Sequence, residues 1–476
     1  MTTAILQSRL AAVKNVGHFD AEAVDSFARY IAEAPDEKLF RMNPYRYARE
    51  TGTPERLAVD LFLHAAHAGV VEFSWGVICP ACGSFITTDH ALRALGEDRF
   101  CTICEIAVPP VIDDNVEVTF NVAPSARVIR FHDSEKLDFL RDSLTLFFSP
   151  SVADRTHIDR AVEKPVWFGT APAGAKLETE TSLAPGHYVL ALPQYHSLRR
   201  FTVEEKAGGS TLDYEVLAGG ELVQDGDRLA AGQVHMTLHN RLSRPVVFGA
   251  FTDPRPSSPE ALAAKLDLLA GQSGEKFHRF FSVKELVTTQ AFRDLFRAES
   301  IPAQGGLALK NLTVLFTDLK GSTELYSRMG DMRAYALVGE HFGILRDVVA
   351  ARGGAVVKTI GDAVMASFPT PAPALEAAMV MNREVGRVGD LELKIGLHAG
   401  PCIAVDLNER LDYFGQTVNI AARVQAIADS RQIVCTDQVR DAPGAAEVIT
   451  ALSPVGAREM AALKGVDGHV GVWRYQ

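Results

Sequence analysis

Leu312-Thr-Val-Leu-Phe-Thr-Asp318-Leu-Lys-Gly-Ser-Thr323 is the stretch from which the chain is best read. Apolar and β-branched residues run into Asp318, a Lys-Gly-Ser-Thr loop follows, and a helix-like pattern begins after it. A strand that ends on a carboxylate and a glycine turn can hold a cation beside a phosphate. The carboxylate takes the metal, and backbone N–H groups of the turn face the anion. A single Asp in a strand–turn–helix is weak evidence, so the question is which other residues join it.

At 476 residues the chain has room for several domains. Its 47% hydrophobic and 22% charged content is that of a soluble globular protein. A net charge of -11 argues against general nucleic-acid binding. The first twenty residues lack the apolar core of a signal peptide. The most apolar long run, Leu57 to Phe73, is interrupted by Asp60, His64 and His67 and does not span a membrane. The expected location is cytoplasmic.

Residues 1–75 read as a helical module. Asn43-Pro44 and Thr53-Pro54 look like N-cap and first-turn pairs opening two helices, with strand-like Val70 to Ser74 after them. This resembles a helix-turn-helix with a wing that would dock DNA through Arg46, Arg49 and Arg56. The acidic surroundings favour a small helical packing module instead, so DNA is not the expected partner.

Residues 76–111 carry Cys79-Pro-Ala-Cys82 and, eighteen residues on, Cys101-Thr-Ile-Cys104. Two such pairs match a zinc ribbon, in which four thiolates close a tetrahedral shell around a structural Zn²⁺. Residues 112–255 turn to short strands separated by Gly and Pro turns, the texture of an all-β antiparallel sandwich or small barrel, with a helix expected within Arg127 to Phe148. Its histidines, His187, His196, His235 and His239, read as strand histidines, and a sensing or scaffolding role is inferred from position alone. Residues 256–309 read as a linker and a coupling helix whose apolar face is Leu286, Phe292, Leu295 and Phe296, running to about Ala298. Whether that helix pairs with a second copy is open.

From residue 310 the pattern returns to the opening stretch. An amphipathic helix over 332–351 leads to Ala355-Val-Val-Lys-Thr-Ile-Gly-Asp-Ala-Val-Met-Ala-Ser-Phe368, a hairpin of two apolar strands around Gly361-Asp362. An Asp flanked by buried strands is costly unless solvated or bound, and paired with Asp318 it can bridge divalent cations. A helix over 372–385, a strand over 391–398 and Leu411-Asp-Tyr-Phe-Gly-Gln-Thr-Val-Asn-Ile-Ala-Ala-Arg-Val424 follow. There Asn419 and Arg423, four apart, share one helical face. Leu463-Lys-Gly465 sits on the final strand turn. The order β-α-β-β-α-β with additions is that of an α+β, ferredoxin-like domain.

Residues 310–476 resemble the catalytic domain of class III nucleotidyl cyclases, the adenylate/guanylate cyclase family. The matching motifs are Phe316 to Thr323, Lys358 to Asp362, Asp412 to Arg423 and Leu463 to Gly465. The N-terminal two-thirds resembles, less specifically, the accessory region of some bacterial members. The resemblance implies that Asp318, Asp362 and the Leu319 carbonyl bind two Mg²⁺ or Mn²⁺ ions. It implies that Gly321, Ser322 and neighbouring N–H groups cradle phosphate, and that Lys464 holds the terminal phosphates. Arg423 would neutralise charge at the α-phosphoryl group and Asn419 would orient the ribose. Lys358 and Asp412 would read adenine, the Lys donating to N1 and the Asp accepting from the exocyclic amine. Guanylate members carry Glu and a small residue there. The expected activity is that of an adenylate cyclase on ATP. In the family, one subunit's Asp pair faces its partner's base-reading and Asn/Arg residues, so a head-to-tail homodimer is implied. The alternatives are a guanylate or mixed-specificity cyclase, and a non-enzymatic nucleotide-responsive regulator that binds DNA or a partner through the N-terminal modules, whose ligand or partner protein is unknown.

Overall fold

The computed structural model describes residues 2–16, 19–89, 99–108, 115–153, 163–206, 208–253, 277–296, 307–321, 327–387, 391–407, 410–452 and 456–476. They form two compact units, one running through Phe281 and one from Ser282 to the C-terminus.

The first unit opens with helices Thr2–Lys14, Ala21–Glu33, Pro44–Thr51 and Glu55–His67. Asn43 caps the third, accepting from the N–H groups of Tyr45 and Arg46, with Pro44 in the first turn and Gly52 at φ 72 ending it. The expected Thr53 cap is not formed. The fourth helix starts one residue later, behind Pro54, and the Thr53 hydroxyl meets that of Thr51. Arg46 pairs along its own helix with Glu50 at 3.0 Å.

Strand Val71–Ile78 follows and is longer than the sequence pattern indicated. It pairs with Phe85–Asp89 on one side and Val116–Val122 on the other. Val116–Val122 therefore belongs to this N-terminal sheet and not to the β-domain in which its alternating pattern had placed it. Pairing partners are a tertiary choice that periodicity does not encode. Buried Glu117 fixes the strand to its surroundings, accepting from Ser149, Ser151 and Asn43. Between Arg127 and Phe148 the helix is confined to Phe139–Phe147, capped by Asp138.

The β-rich region folds as two sheets. One is ordered Leu222–Asp225, Thr211–Val216, Gly232–Asn240, Lys176–Leu183, and the other Arg228–Ala230, Ser197–Glu204, Gly186–Leu192, Val246–Thr252, Trp167–Ala171. Leu212, Tyr214 and Met236 from the first meet Leu190, Phe201 and Phe248 from the second in one apolar core, as in a sandwich.

In the second unit elements are labelled in chain order. Two short helices, α1 (Val283–Val287) and α2 (Gln290–Leu295), replace the single helix expected to run to Ala298; residues 297–306 lie outside the described set. Ser282 and Glu285 form a capping box at the start of α1. The Thr288 hydroxyl bonds back to the Lys284 carbonyl, and the chain breaks at the two β-branched residues Thr288 and Thr289.

The long strand β1 (Leu307–Leu319) leads to α3 (Asp331–Ala351), β2 (Ala355–Ile360) and β3 (Ala363–Phe368). Then come α4 (Pro371–Val385), β4 (Leu393–Leu407), β5 (Arg410–Phe414) and α5 (Gln416–Ala426). The chain closes through β6 (Gln432–Thr436), α6 (Asp437–Arg440), α7 (Ala445–Leu452), β7 (Gly456–Ala461) and β8 (Val470–Tyr475). The eight strands form one sheet, ordered β2-β3-β1-β4-β6-β8-β7 with β5 on the distal part of β4. Leu312 to Thr317 is buried without alternation because β1 lies between β3 and β4 with both faces covered. Ala334, Val338, His341, Leu345 and Val349 recur at three- and four-residue steps on α3 and turn its inner face to the sheet core. Ile433 and Cys435 join that core, whereas Val434 faces the opposite side and packs with Val424 of α5. Gly396 on β4 lets α5 approach closely: a Cβ there would lie 2.1 Å from the Gln425 backbone nitrogen.

Candidate active site

The register places the two carboxylates side by side. Thr317 pairs with Val364 between β1 and β3, so Asp318 at the end of β1 flanks the β2–β3 turn that holds Asp362. Gly361 takes φ 63 in that turn. Asp318 is half-buried, and its pKa is raised by burial and then by the charge of Asp362, against a smaller opposing pull from Lys394. One Asp362 oxygen is buried and has no hydrogen-bond partner among the described residues. Two carboxylates that feel each other's charge, one with an unsatisfied oxygen, fit a divalent cation, which would relieve their repulsion and complete the bonding. Nearby His341 is buried, and its pKa falls to about 4, so it stays neutral at pH 7.

Past Leu319, Lys320 donates its N–H to the Glu392 carbonyl and Gly321 turns the chain at φ 70. Ser322 lies outside the described residues.

The predicted base-reading residues meet. Lys358 Nζ donates to Asp412 Oδ2 at 2.5 Å, and Asp412 Oδ1 accepts from the Tyr413 N–H at 2.8 Å. The Asp side chain is 9% exposed and the Lys 40%, so the carboxylate is fixed while the ammonium reaches solvent. A register irregularity between Val356 and Lys358 interrupts the β2–β3 ladder just before the Lys.

Asn419 and Arg423 are both exposed on α5, which starts behind Gly415 at φ 137. Lys464 is exposed on the turn between β7 and β8, with Leu463 buried beneath it and Gly465 at φ 81.

Sequence reading missed three residues around the base-reading pair. Arg293, Gln290 and Tyr413 tie α1 and α2 to the backbone beside Lys358 and Asp412. Nothing in their local spacing signals this.

In the first unit the sulfur atoms of Cys79, Cys82, Cys101 and Cys104 all lie within 4.8 Å of one another and can hold a metal ion. The Cys82–Cys101 separation of 3.7 Å is close to the edge, about 3.8 Å, of a tetrahedron with 2.3 Å metal–sulfur bonds. The Arg200 guanidinium donates to the carbonyls of Thr102 and Ile103 at 2.8 Å, which fastens this knuckle to the β-rich region.

Residues 307–469 match the family model described as the adenylate and guanylate cyclase catalytic domain. The C-terminal domain is a cyclase catalytic domain. Residues 5–294 match a family of unknown function, DUF5939, over more than half of the chain, and the chain belongs to that family. A pH-sensitive adenylate cyclase of Mycobacterium tuberculosis is 31% identical over 197 residues, covering 41% of this chain and 47% of that protein. An adenylate cyclase of Lachancea kluyveri is 35% identical over 150 residues, covering 26% of this chain and 8% of that one. The chain thus spans about half of the first relative and a small part of the second. The crystal structure of the adenylyl cyclase CyaB from P. aeruginosa aligns at 19% identity and a TM-score of 0.32, over 35% of this chain and 94% of that one. Among the described residues of this DUF5939 family member, no helix is long and apolar enough to cross a membrane.

Proposed function

We propose that the chain is an adenylate cyclase that converts ATP to 3′,5′-cyclic AMP and pyrophosphate in a homodimer with two shared sites. The observation that carries this reading is the Lys358–Asp412 pair at 2.5 Å within a cyclase catalytic domain. An ammonium donor beside a carboxylate acceptor complements adenine, whose edge offers the N1 acceptor and the amine donor. Guanine offers the reverse and would set its N1–H against the ammonium.

Asp318 and Asp362, with the Leu319 carbonyl, hold two Mg²⁺ or Mn²⁺ ions. Bound there, such ions lower the pKa of the ribose 3′-hydroxyl and offset the charge of the triphosphate. The protein's own share is positioning and charge stabilisation of in-line attack on the α-phosphorus. Lys358 and Asp412 hold the base, and Asn419 orients the ribose. Arg423 stabilises charge that grows on the α-phosphoryl oxygens. Lys464, with the turn at Gly321 and Ser322, holds the phosphates that leave as pyrophosphate.

Asn419 and Arg423 project from α5 as exposed side chains, which suits completion of a partner subunit's site. The thiol tetrad suits a structural Zn²⁺, since four sulfur ligands leave no open position for substrate. The helical module, the zinc site and the β-rich region act as the regulatory part of the enzyme.

The test is turnover of ATP and of GTP by the purified full-length chain with Mg²⁺ or Mn²⁺. Cyclic AMP as the dominant product supports the reading. Equal cyclisation of GTP overturns the adenine assignment, and no cyclisation of either nucleotide overturns the activity.

A further inference from the structure

The DUF5939 match ends at residue 294, inside α2, and the last part of it packs on the cyclase sheet. Its contacts converge on one place. Arg293 donates through one guanidinium nitrogen to the carbonyls of Leu411 and, at 3.4 Å, Val357. These are the residues immediately before Asp412 and Lys358. One turn earlier on α2, the Gln290 side-chain oxygen accepts the Val356 N–H at 2.8 Å. On the other side of Asp412, the Tyr413 hydroxyl donates to the Val287 carbonyl of α1 at 3.0 Å, with Arg293 placed 5.7 Å from the Tyr413 ring centre. Asp294 pairs with Arg346 of α3 and holds α2 in place.

This arrangement supplies something the sheet does not. β2 and β5 are separated in hydrogen-bonding order by β3, β1 and β4, so no ladder sets the distance between Lys358 and Asp412. β2 is an edge strand whose ladder is irregular at Val357, the position whose carbonyl Arg293 takes. An edge strand with a bulge is easily displaced. A planar guanidinium that meets both backbones removes that freedom.

We infer that Arg293, supported by Gln290, is a positioning residue that fixes the spacing of Lys358 and Asp412 and so sets how strictly the site distinguishes adenine from guanine. The inference rests on the reading of that pair as the base-recognition residues. With the clamp intact, the ammonium and carboxylate meet N1 and the exocyclic amine together. With β2 free, the ammonium swings to the guanine O6 acceptor, and adenine loses its two-point contact.

The experiment measures equilibrium binding of fluorescent ATP and GTP analogues to the full-length chain and to Arg293→Ala, Arg293→Lys and Gln290→Leu, with turnover recorded in parallel. The quantity read is the ratio of the two dissociation constants. Arg293→Ala should shrink it about tenfold, chiefly through weaker ATP binding, a size typical of a lost polar contact. Gln290→Leu should move it the same way by less, and Arg293→Lys should restore part of it. A general packing defect would weaken both nucleotides alike and leave the ratio unchanged. A ratio within twofold of wild type in the folded variants overturns the inference, and Arg293→Lys and Gln290→Leu decide it if the Ala variant does not fold. Wild-type protein that binds both nucleotides equally overturns the base-reading assignment and the inference with it. Selective wild-type binding without turnover removes only the proposed activity.

Discussion

Lys358 Nζ lies 2.5 Å from Asp412 Oδ2, although 54 residues separate them in sequence and three strands lie between theirs in the sheet. Their separation is fixed by side-chain contact and by α1 and α2, and reversal of the charge at one partner tests it directly. Lys358→Glu removes the proposed donor to N1 and sets a second carboxylate against a nearly buried one. We expect kcat/KM for ATP to fall about 100-fold or more, measured by steady-state kinetics. Full retention of ATP turnover would end the assignment.

The proposed sharing of sites between subunits gives a quantitative mixing prediction. Asp318→Ala and Arg423→Ala chains are each expected to be inactive, with losses of about 100-fold or more. Mixed one to one, about half of the dimers carry one chain of each kind, and each of those has one intact site out of two. Activity should therefore return to about a quarter of wild type. No recovery in mixtures whose heterodimers are demonstrated by mass spectrometry counts against sharing.

The raised pKa of Asp318 makes a prediction about stability. Burial and the Asp362 charge place its folded value above its unfolded value of about 3.9, so the folded chain holds the proton more tightly. In chelator, stability should fall as pH rises through the window from the unfolded to the folded value. Above that window the full penalty remains. Asp318→Asn carries no such penalty and should melt about 2 °C higher than wild type at neutral pH in chelator, the difference closing in acid. Added Mg²⁺ or Mn²⁺ should reverse the order, because only the wild type gains from binding. Differential scanning calorimetry checks both signs.

The thiol tetrad predicts about one zinc per chain by elemental analysis, lost when Cys79 and Cys82 are both changed to Ser. Because binding to four thiolates is coupled to folding, that double variant should melt roughly 5 °C lower or more. Unchanged zinc content in the variant would place the metal elsewhere.

Gly396→Ala tests the packing that carries Asn419 and Arg423. The added Cβ would meet the backbone of Gln425, which cannot move without the rest of α5. We expect a stability loss of about 1–3 kcal/mol by denaturant titration and a fall in kcat of about 100-fold, the usual result of a small misplacement near reacting groups.

Much of the proposed site was legible in the chain because its groups sit where strands end and turns begin. Asp318 closes a continuous apolar run, Asp362 follows a glycine turn, and Asn419 and Arg423 are one helical step apart. Each position is announced by short-range chemistry. The N-terminal two-thirds was less legible. Val116–Val122 has the alternation of a sandwich strand, yet its partner is Val71–Ile78. Leu286 to Phe296 has the periodicity of one helix, yet Thr288 and Thr289 divide it.

The sequence by itself determined which groups are present: two carboxylates proposed to take metal, a cation and a carboxylate proposed to read a purine, four thiols at ligand spacing, and an apolar pattern for the helices around the sheet. Local periodicity and turn chemistry suffice for that. Only the tertiary structure decided that Lys358 and Asp412 touch, that Asp318 and Asp362 share a charge environment, and that Arg293 grips the backbone beside both Lys358 and Asp412. The first and third of these relations join strands that no ladder links, and the second rests on the pairing of β1 with β3. They arise from strand pairing and from what packs across the sheet, which residue spacing along the chain does not record.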